Sequence, residues 1–213
     1  MTDNEDAAPN PEFVRKLFAG ECEFVAGADN IEALPQPTLP EIAFVGRSNA
    51  GKSSLINALT NRKALARVSN TPGRTRQVNF FQLGHTLMLV DLPGYGFAQA
   101  SKTLTAQWQS LIFDYLRGRQ TLRRVVLLVD SRRGVMDTDR EAMKLLDEAA
   151  VSYIVTLTKM DALKPAEHAR AIAECSEALT GRIAAYPDVL ATSSLAKEGL
   201  ESLRSHIAAL AAR

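Results

Sequence analysis

The segment GRSNAGKS, Gly46 to Ser53, restricts the fold of this chain more than any other because it matches the pattern G-x-x-x-x-G-K-[ST]. It follows an apolar run, EIAFVG, that predicts a buried strand, and it opens a run, KSSLINALTN, that predicts a helix. In this context glycines let backbone N–H groups curl around a β-phosphate at the helix N-terminus. The predicted phosphate-binding residues are Gly46, Arg47, Ser48, Asn49, Ala50, Gly51, Lys52 and Ser53.

Two of these side chains have further expected roles. We expect Lys52 to place its charge between the β- and γ-phosphates. We expect Ser53 to offer its hydroxyl to Mg²⁺, an ion that prefers oxygen ligands and keeps several waters. The motif therefore predicts a site for a magnesium nucleoside triphosphate.

The rest of the chain alternates strand-like and helix-like runs from residue 41 to the closing helix, LESLRSHIAALAAR. This order predicts an α/β fold with a mainly parallel sheet and helices on both faces, and 41–213 would form one nucleotide-binding domain. Residues 1–40 are expected to be an N-terminal extension. It would hold an acidic head, one helix within PEFVRKLFAGECEFVAG, and a break at the prolines of LPQPTLP.

A second motif, DLPG, follows the apolar run TLMLV. Asp91 stands where P-loop enzymes keep the acid that holds Mg²⁺ through water, and Gly94 can bring its N–H to a γ-phosphate. Leu92 and Pro93 complete the predicted contact segment. The next residue is Tyr95, where Ras-like GTPases carry the glutamine that orients the attacking water, and a phenol lacks the paired donor and acceptor of a carboxamide.

A third motif, TKMD from Thr158 to Asp161, ends another predicted strand. The carboxylate of Asp161 can accept hydrogen bonds from N1–H and the 2-amino group of guanine, whereas adenine would leave it unpaired. We expect Lys159 to lay its stem over the purine and Thr158 to tie this loop to the phosphate loop. Met160 is counted with them among the nucleotide-binding residues. The backbone N–H groups at the end of the last strand are expected to reach the guanine carbonyl oxygen, from Thr192, Ser193 and Ser194.

The charge of the chain is unevenly distributed although its net value is +1. No acidic residue lies between Glu41 and Asp91, and basic residues remain in excess up to Met136. This basic middle favours a polyanionic partner, although the phosphates of a nucleotide and a solvated surface would account for part of it. Its basic residues are Arg47, Lys52, Arg62, Lys63, Arg67, Arg74, Arg76, Lys102, Arg117, Arg119, Arg123, Arg124, Arg132 and Arg133.

Three features of the sequence bear on where in the cell the protein is found. No apolar run approaches the roughly 20 residues of a membrane-spanning helix, so we expect no membrane span. The polar, acidic start MTDNEDAAPNPEF is unlike a secretory signal, and Cys22 and Cys175 have no paired spacing. A reduced cytoplasmic setting is the simplest interpretation.

Together GRSNAGKS, DLPGYG, TKMD and TSSLAKEG resemble a translation-associated bacterial GTPase, and SNTPGRTRQVNFF narrows this to the EngB family, also called YihA or YsxC. The resemblance covers about residues 40–200 and includes threonine in place of the usual asparagine of N-K-x-D. It implies a Ras-like fold of six strands, binding of GTP and GDP, a role in assembling the large (50S) ribosomal subunit, and a link to cell division and septation. We further expect a monomer.

The resemblance also implies roles for individual residues. Thr75 becomes the switch threonine that ligates Mg²⁺ when the γ-phosphate is present, with Thr71 as the competing candidate, in a loop of the kind that an order–disorder switch needs. Asn49 would help hold K⁺ against the phosphates, in place of an arginine finger; the alternative is a loop-stabilising hydrogen bond. The implied contact segment of this loop is Gly73, Arg74, Thr75, Arg76 and Gln77.

Three functions therefore compete. The first is a slow GTPase that docks on the large ribosomal subunit through its basic face. The second is a GTP-dependent protein-binding switch at a division complex, without ribosome contact. The third, an ATPase with the same phosphate loop, is opposed by Asp161.

Overall fold

The computed structural model describes residues 9–66, 77–95 and 102–211, except for the side chains of 102–109. Seven strands form one sheet in the order β1-β3-β4-β2-β5-β6-β7. Pairing of β1 with β3 and of β3 with β4 is antiparallel, and all other pairs are parallel. The strands are β1 Cys22–Ala28, β2 Glu41–Gly46, β3 Val78–Leu83, β4 Leu87–Asp91, β5 Leu122–Asp130, β6 Tyr153–Thr158 and β7 Leu190–Ala191.

Six helices of the described residues cover this sheet on both faces. They are α1 Pro11–Ala19, α2 Lys52–Leu59, α3 Lys102–Gly118, α4 Asp137–Glu148, α5 Pro165–Glu177 and α6 Leu200–Ala211. The core on one face contains apolar residues of α1, α2 and α6, and the core on the other contains those of α3, α4 and α5. The predicted α/β fold with helices on both faces is therefore confirmed.

Strand β2 shows why its sequence is apolar throughout. Ile42 and Phe44 face the core beneath α2 and α6, whereas Ala43 and Val45 face the core beneath α3 and α4. Successive side chains of a strand point to opposite faces, so a central strand with both faces covered needs an unbroken apolar run. Its carboxyl end delivers Gly46 to the start of the phosphate loop.

The expected strand count of six is wrong, because the sheet has seven strands. The additional strand is β1, which begins in the stretch where we expected one helix and no strand. That helix ends at Ala19, and β1 then pairs with β3 at the edge of the sheet. The last strand is also shorter than the run DVLATSS suggests, since only Leu190–Ala191 is strand.

The boundary proposed at residue 40 stays a prediction. Within the part of the chain that the structure describes, no helix has the length and apolar character needed to cross a membrane.

Candidate nucleotide-binding site

The phosphate loop lies between β2 and α2 at the carboxyl edge of the sheet. A side chain at Gly46 would bring its Cβ within 2.9 Å of both the Cβ and the carbonyl oxygen of Leu128 in β5, so only glycine fits there. Asn49 and Gly51 have φ angles of 64° and 94°, in the left-handed region that asparagine and glycine tolerate best. These turns carry the chain from the strand into the N-terminus of α2, where backbone N–H groups are free to bind an anion.

Lys52 and Asp91 form a largely buried ion pair across this loop, with side chains that are 11% and 5% exposed. Lys52 begins α2 and Asp91 ends β4, so two separate motifs meet at one point. Ser53 is the next residue of α2 and is half-buried. A cation and a carboxylate therefore lie together where the phosphates and their magnesium ion are expected, and Ser53 follows the cation in the chain.

The DLPG segment packs directly against the phosphate loop. A Cβ at Gly94 would lie 3.0 Å from the carbonyl oxygen of Gly46 and 3.3 Å from the nitrogen of Ser48, so the contact requires glycine. The N–H of Tyr95 donates to the carbonyl of Gly46 at 3.2 Å, and the N–H of Ser48 donates to the carbonyl of Tyr95 at 3.0 Å. Backbone hydrogen bonds thus hold the two segments in register.

The TKMD segment is joined to the same loop. The buried hydroxyl of Thr158 donates to the carbonyl of Ala50 at 2.6 Å, the contact that we expected. The ammonium of Lys159 donates to the carbonyl of Asn49 at 2.5 Å, and a Cβ at Gly51 would lie 3.6 Å from its Cε. The lysine stem therefore spans from the base loop across the phosphate loop.

Asp130 is a residue of this site that the sequence analysis missed. It ends β5, and it accepts hydrogen bonds from Lys159 at 2.9 Å and from the guanidinium of Arg132 at 2.7 Å. Burial opposes its ionisation, but these two cations outweigh burial and lower the pKa of Asp130 to about 2. Asp130 thus stays charged at neutral pH and fixes the position of Lys159. The sequence signal that could have indicated this residue is an acid at the end of an apolar strand.

Asp161 lies in a short 3₁₀ helix, Met160–Ala162, and is exposed to solvent. The hydroxyl of buried Ser193 donates to one carboxylate oxygen of Asp161 at 2.5 Å and accepts the N–H of Ala196 at 2.9 Å. One oxygen is thereby fixed by the protein. The carboxylate keeps further acceptor capacity toward solvent, where a base can approach.

The structure corrects one detail at the end of the last strand. The N–H of Thr192 donates to the carbonyl of Leu157, and the N–H of Ser193 donates to that of Glu198. Neither N–H is therefore available to a guanine carbonyl, because the sheet and a local bridge use both. Of the three expected donors, the N–H of Ser194 remains.

Several expected contact residues lie outside the described residues or away from the loop. Thr71, Gly73, Arg74, Thr75 and Arg76 fall in the segment that the structure does not describe. Gln77 is described, and its side-chain oxygen lies 3.0 Å from where a Cβ of Gly27 in β1 would be. Its contact with a nucleotide stays a prediction.

Comparison with known proteins gives one consistent result. A family model described as "50S ribosome-binding GTPase" matches residues 41–159, and one described as "Elongation factor Tu GTP binding domain" matches residues 109–212. The "Probable GTP-binding protein EngB" of Rhodospirillum rubrum is 53% identical over 216 residues, covering 99% of this chain and 94% of that protein. The protein of the same name from Caulobacter vibrioides is 52% identical over 199 residues, covering 93% and 87%.

Solved structures show the same fold. The crystal structure of a probable GTP-binding protein engB has a TM-score of 0.65 at 24% identity, and the match covers 81% of this chain and 100% of that one. The structure of Era in complex with MgGDPNP and 16S ribosomal RNA has a TM-score of 0.63 at 20% identity, covering 81% and 57%. At these identities the likeness concerns the fold alone.

Proposed function

Because the chain belongs to the EngB family of GTP-binding proteins, which are GTPases, we propose that it hydrolyses GTP slowly as a molecular switch in assembly of the large ribosomal subunit. The observation that carries this proposal is the joining of three motif segments, through Thr158, Lys159 and the backbone of Tyr95, onto one phosphate loop. We propose that it acts as a cytoplasmic monomer.

Guanine recognition would depend on Asp161. Ser193 holds one of its oxygens, which limits rotation of the carboxylate. The exposed side can then accept from the two donors on the guanine edge, while the N–H of Ser194 would meet the carbonyl of the base. An adenine in this place would leave the carboxylate without those donors, which disfavours ATP.

The oxygen donors beside Lys52 suit a magnesium ion. Ser53 would ligate it directly, Asp91 through water, and Thr75 would be the third protein ligand. No group of three or more histidine, cysteine, aspartate or glutamate side chains that could cage a metal occurs among the described residues. This fits Mg²⁺, which is held mainly by phosphates and water and neutralises charge on the β- and γ-oxygens.

A low rate of hydrolysis follows from the residue after Gly94. Tyr95 cannot orient water as glutamine does. We propose that K⁺, held by the carboxamide of Asn49, supplies positive charge beside the phosphates. Asn49 is exposed, and its carboxamide makes no hydrogen bond among the described residues, so the loop-stabilising alternative has no contact to support it.

The ribosomal partner is supported by charge and by relatives. The family model that matches residues 41–159 is described as ribosome-binding, and the basic middle of the chain overlaps it. Phosphate contacts from its exposed members, which include Arg62 and Lys63, would bind RNA in a salt-dependent, largely sequence-independent way. The competing proposal is a GTP-dependent switch at a division complex, to which the family is also linked.

The test is cosedimentation with large ribosomal subunits, using a non-hydrolysable GTP analogue or GDP at two salt concentrations. We expect binding with the analogue, weaker binding with GDP, and loss at high salt. Replacing exposed Arg62 and Lys63 by Glu should weaken binding about tenfold, by removing phosphate contacts.

The matched control replaces Arg140 and Lys144 of α4 by Glu, which changes the net charge equally outside the basic middle. Equal losses in both variants would contradict a specific basic face. Absence of any binding, with GTP affinity intact, would favour the division-complex switch.

A further inference from the structure

Tyr95 has a defined partner on the far side of the DLPG segment. Its hydroxyl donates to Oδ1 of Asp139 at 2.7 Å. Asp139 lies in the first turn of α4 and is only 1% exposed, and its Oδ2 accepts the N–H of Met136 at 2.9 Å. One buried carboxylate therefore joins the start of α4 to the residue after Gly94.

A positive charge of the phosphate loop acts on this pair. Burial raises the pKa of Asp139, and the N–H of Met136, the hydroxyl of Tyr95 and the charge of Arg47 oppose that rise. Burial and the nearby Asp139 together hold the pKa of Tyr95 well above its usual range. Arg47 is the second residue of the phosphate loop, and its Nε is buried without a hydrogen-bond partner in the described structure.

The backbone of Tyr95 is held at the same time. It exchanges hydrogen bonds with Gly46 and Ser48 of the phosphate loop. Gly94 lies so close to the carbonyl oxygen of Gly46 that a Cβ there would be 3.0 Å from it. Tyr95 is therefore held at two points, by its backbone on the phosphate loop and by its hydroxyl on Asp139. The ring is packed against the core beneath α3 and α4, on the side away from α2.

We propose that Asp139 is a positioning residue for GTP hydrolysis: through the hydroxyl of Tyr95 it holds Gly94 against the phosphate loop at the place where the γ-phosphate is sensed. Tyr95 is then an anchor and not a substitute for the glutamine. This inference rests on the proposed hydrolysis of GTP. GDP lacks the γ-phosphate, so its binding depends much less on where Gly94 lies.

The test compares Tyr95→Phe with Tyr115→Phe. Tyr115 makes a hydrogen bond of the same chemical type, to the buried carboxylate of Glu41 at 2.8 Å, beneath the same face but at the amino end of β2. Both variants lose one hydroxyl-to-carboxylate bond, so a purely structural role predicts the same results for both. We expect Tyr95→Phe alone to lower kcat and affinity for a non-hydrolysable GTP analogue about tenfold, with GDP affinity nearly unchanged, as for loss of one charge-assisted hydrogen bond.

Two variants of Asp139 provide a rescue. Asn at this position can accept the N–H of Met136 through its oxygen and donate to the Tyr95 oxygen through its nitrogen, because a phenol both donates and accepts. Asp139→Asn should therefore keep most of the rate that Asp139→Ala loses. If Asp139→Ala does not fold, Tyr95→Phe and Asp139→Asn still decide the question.

The outcomes of these measurements distinguish the positioning role of Asp139 from the proposed hydrolysis of GTP on which it rests. A wild-type protein that binds GTP but never hydrolyses it would contradict the proposed hydrolysis. A different result would overturn the positioning role while leaving hydrolysis intact. In that case the wild type hydrolyses GTP, but Tyr95→Phe and Tyr115→Phe have equal effects on kcat and on the ratio of GTP-analogue to GDP affinity.

Discussion

Asn49 combines a special backbone conformation with an unused side chain. Its φ angle is 64°, its carbonyl accepts the ammonium of Lys159, and its carboxamide has no partner among the described residues. Asparagine tolerates the left-handed region better than most residues, so the conformation alone would explain its presence. The proposed K⁺ would give the exposed carboxamide a second role.

Replacing Asn49 by Gly separates these explanations, since glycine keeps the conformation and removes the carboxamide. We expect K⁺ to raise the GTP hydrolysis rate of the wild type well above its rate in Na⁺, and we expect Asn49→Gly and Asn49→Ala to abolish the difference. Phosphate release in the two salts measures this. Asn61→Gly is the control, because Asn61 has a φ angle of 53° and lies beyond α2. Equal wild-type rates in both salts would contradict the K⁺ proposal.

The motif residues were predictable because short spacings encode their geometry, as with the bond from Thr158 to the phosphate loop. Asp130 and Asp139 were not, since neither belongs to a motif. An acid in the first turn of a helix is ordinarily explained by the helix dipole. Only the folded chain shows that Asp139 faces Tyr95, which lies 44 positions earlier in the sequence.

At the scale of elements, β1 shows the limit of local patterns. A short run such as CEFVAGA does not decide between helix and strand by periodicity. Its partner is β3, and the pairing joins Cys22 to Leu83 and Ala28 to Val78. A strand specified by such a distant partner has little local signal, whereas the central apolar strands, covered on both faces, were recognisable.

Glu41 links three elements at the amino end of β2. Its buried carboxylate accepts from Tyr115 of α3, from Arg119 just after α3 and from Thr121 just before β5, at 2.7 to 2.9 Å in the closest contacts. Arg119 is itself 8% exposed. Removing the negative charge would leave this guanidinium buried without its counterion.

We therefore expect Glu41→Gln to lower the free energy of unfolding by about 3 kcal/mol, as for a broken buried ion pair. Urea unfolding measures the change. Glu201→Gln is the comparison, because Glu201 is 77% exposed beside Arg204 and its pair should be worth less than about 1 kcal/mol. GDP affinity should be unchanged, since Glu41 lies at the opposite end of β2 from the phosphate loop. Similar losses for the two variants would contradict the role assigned to Glu41.

At the scale of the whole molecule, a polar and aromatic cluster joins the last helix to the amino-terminal half of β5, away from the phosphate loop. There Arg124 of β5 donates to Nε2 of His206 in α6 at 2.7 Å and lies 4.6 Å from the ring centre of Tyr186. Tyr186 in turn packs edge-on against His206, with ring centres 4.8 Å apart. This cluster fastens the last helix to the sheet.

His206 should make the stability of the fold depend on pH. Burial, assisted by the charge of Arg124, lowers its pKa from the ordinary 6.5 to about 4. The unfolded chain therefore binds a proton that the folded chain refuses between these values, and stability is complete above 6.5 and falls as the pH drops toward 4.

Urea unfolding of the wild type and of His206→Gln measures this contribution. Glutamine can still accept from Arg124 but does not titrate, so effects of other groups cancel in the difference. Since His206 is partly exposed, we expect the wild type to lose on the order of 2 kcal/mol relative to the variant from about pH 7.5 to about pH 4.5. Parallel pH profiles would show that His206 accepts its proton without opening the contact between α6 and the sheet.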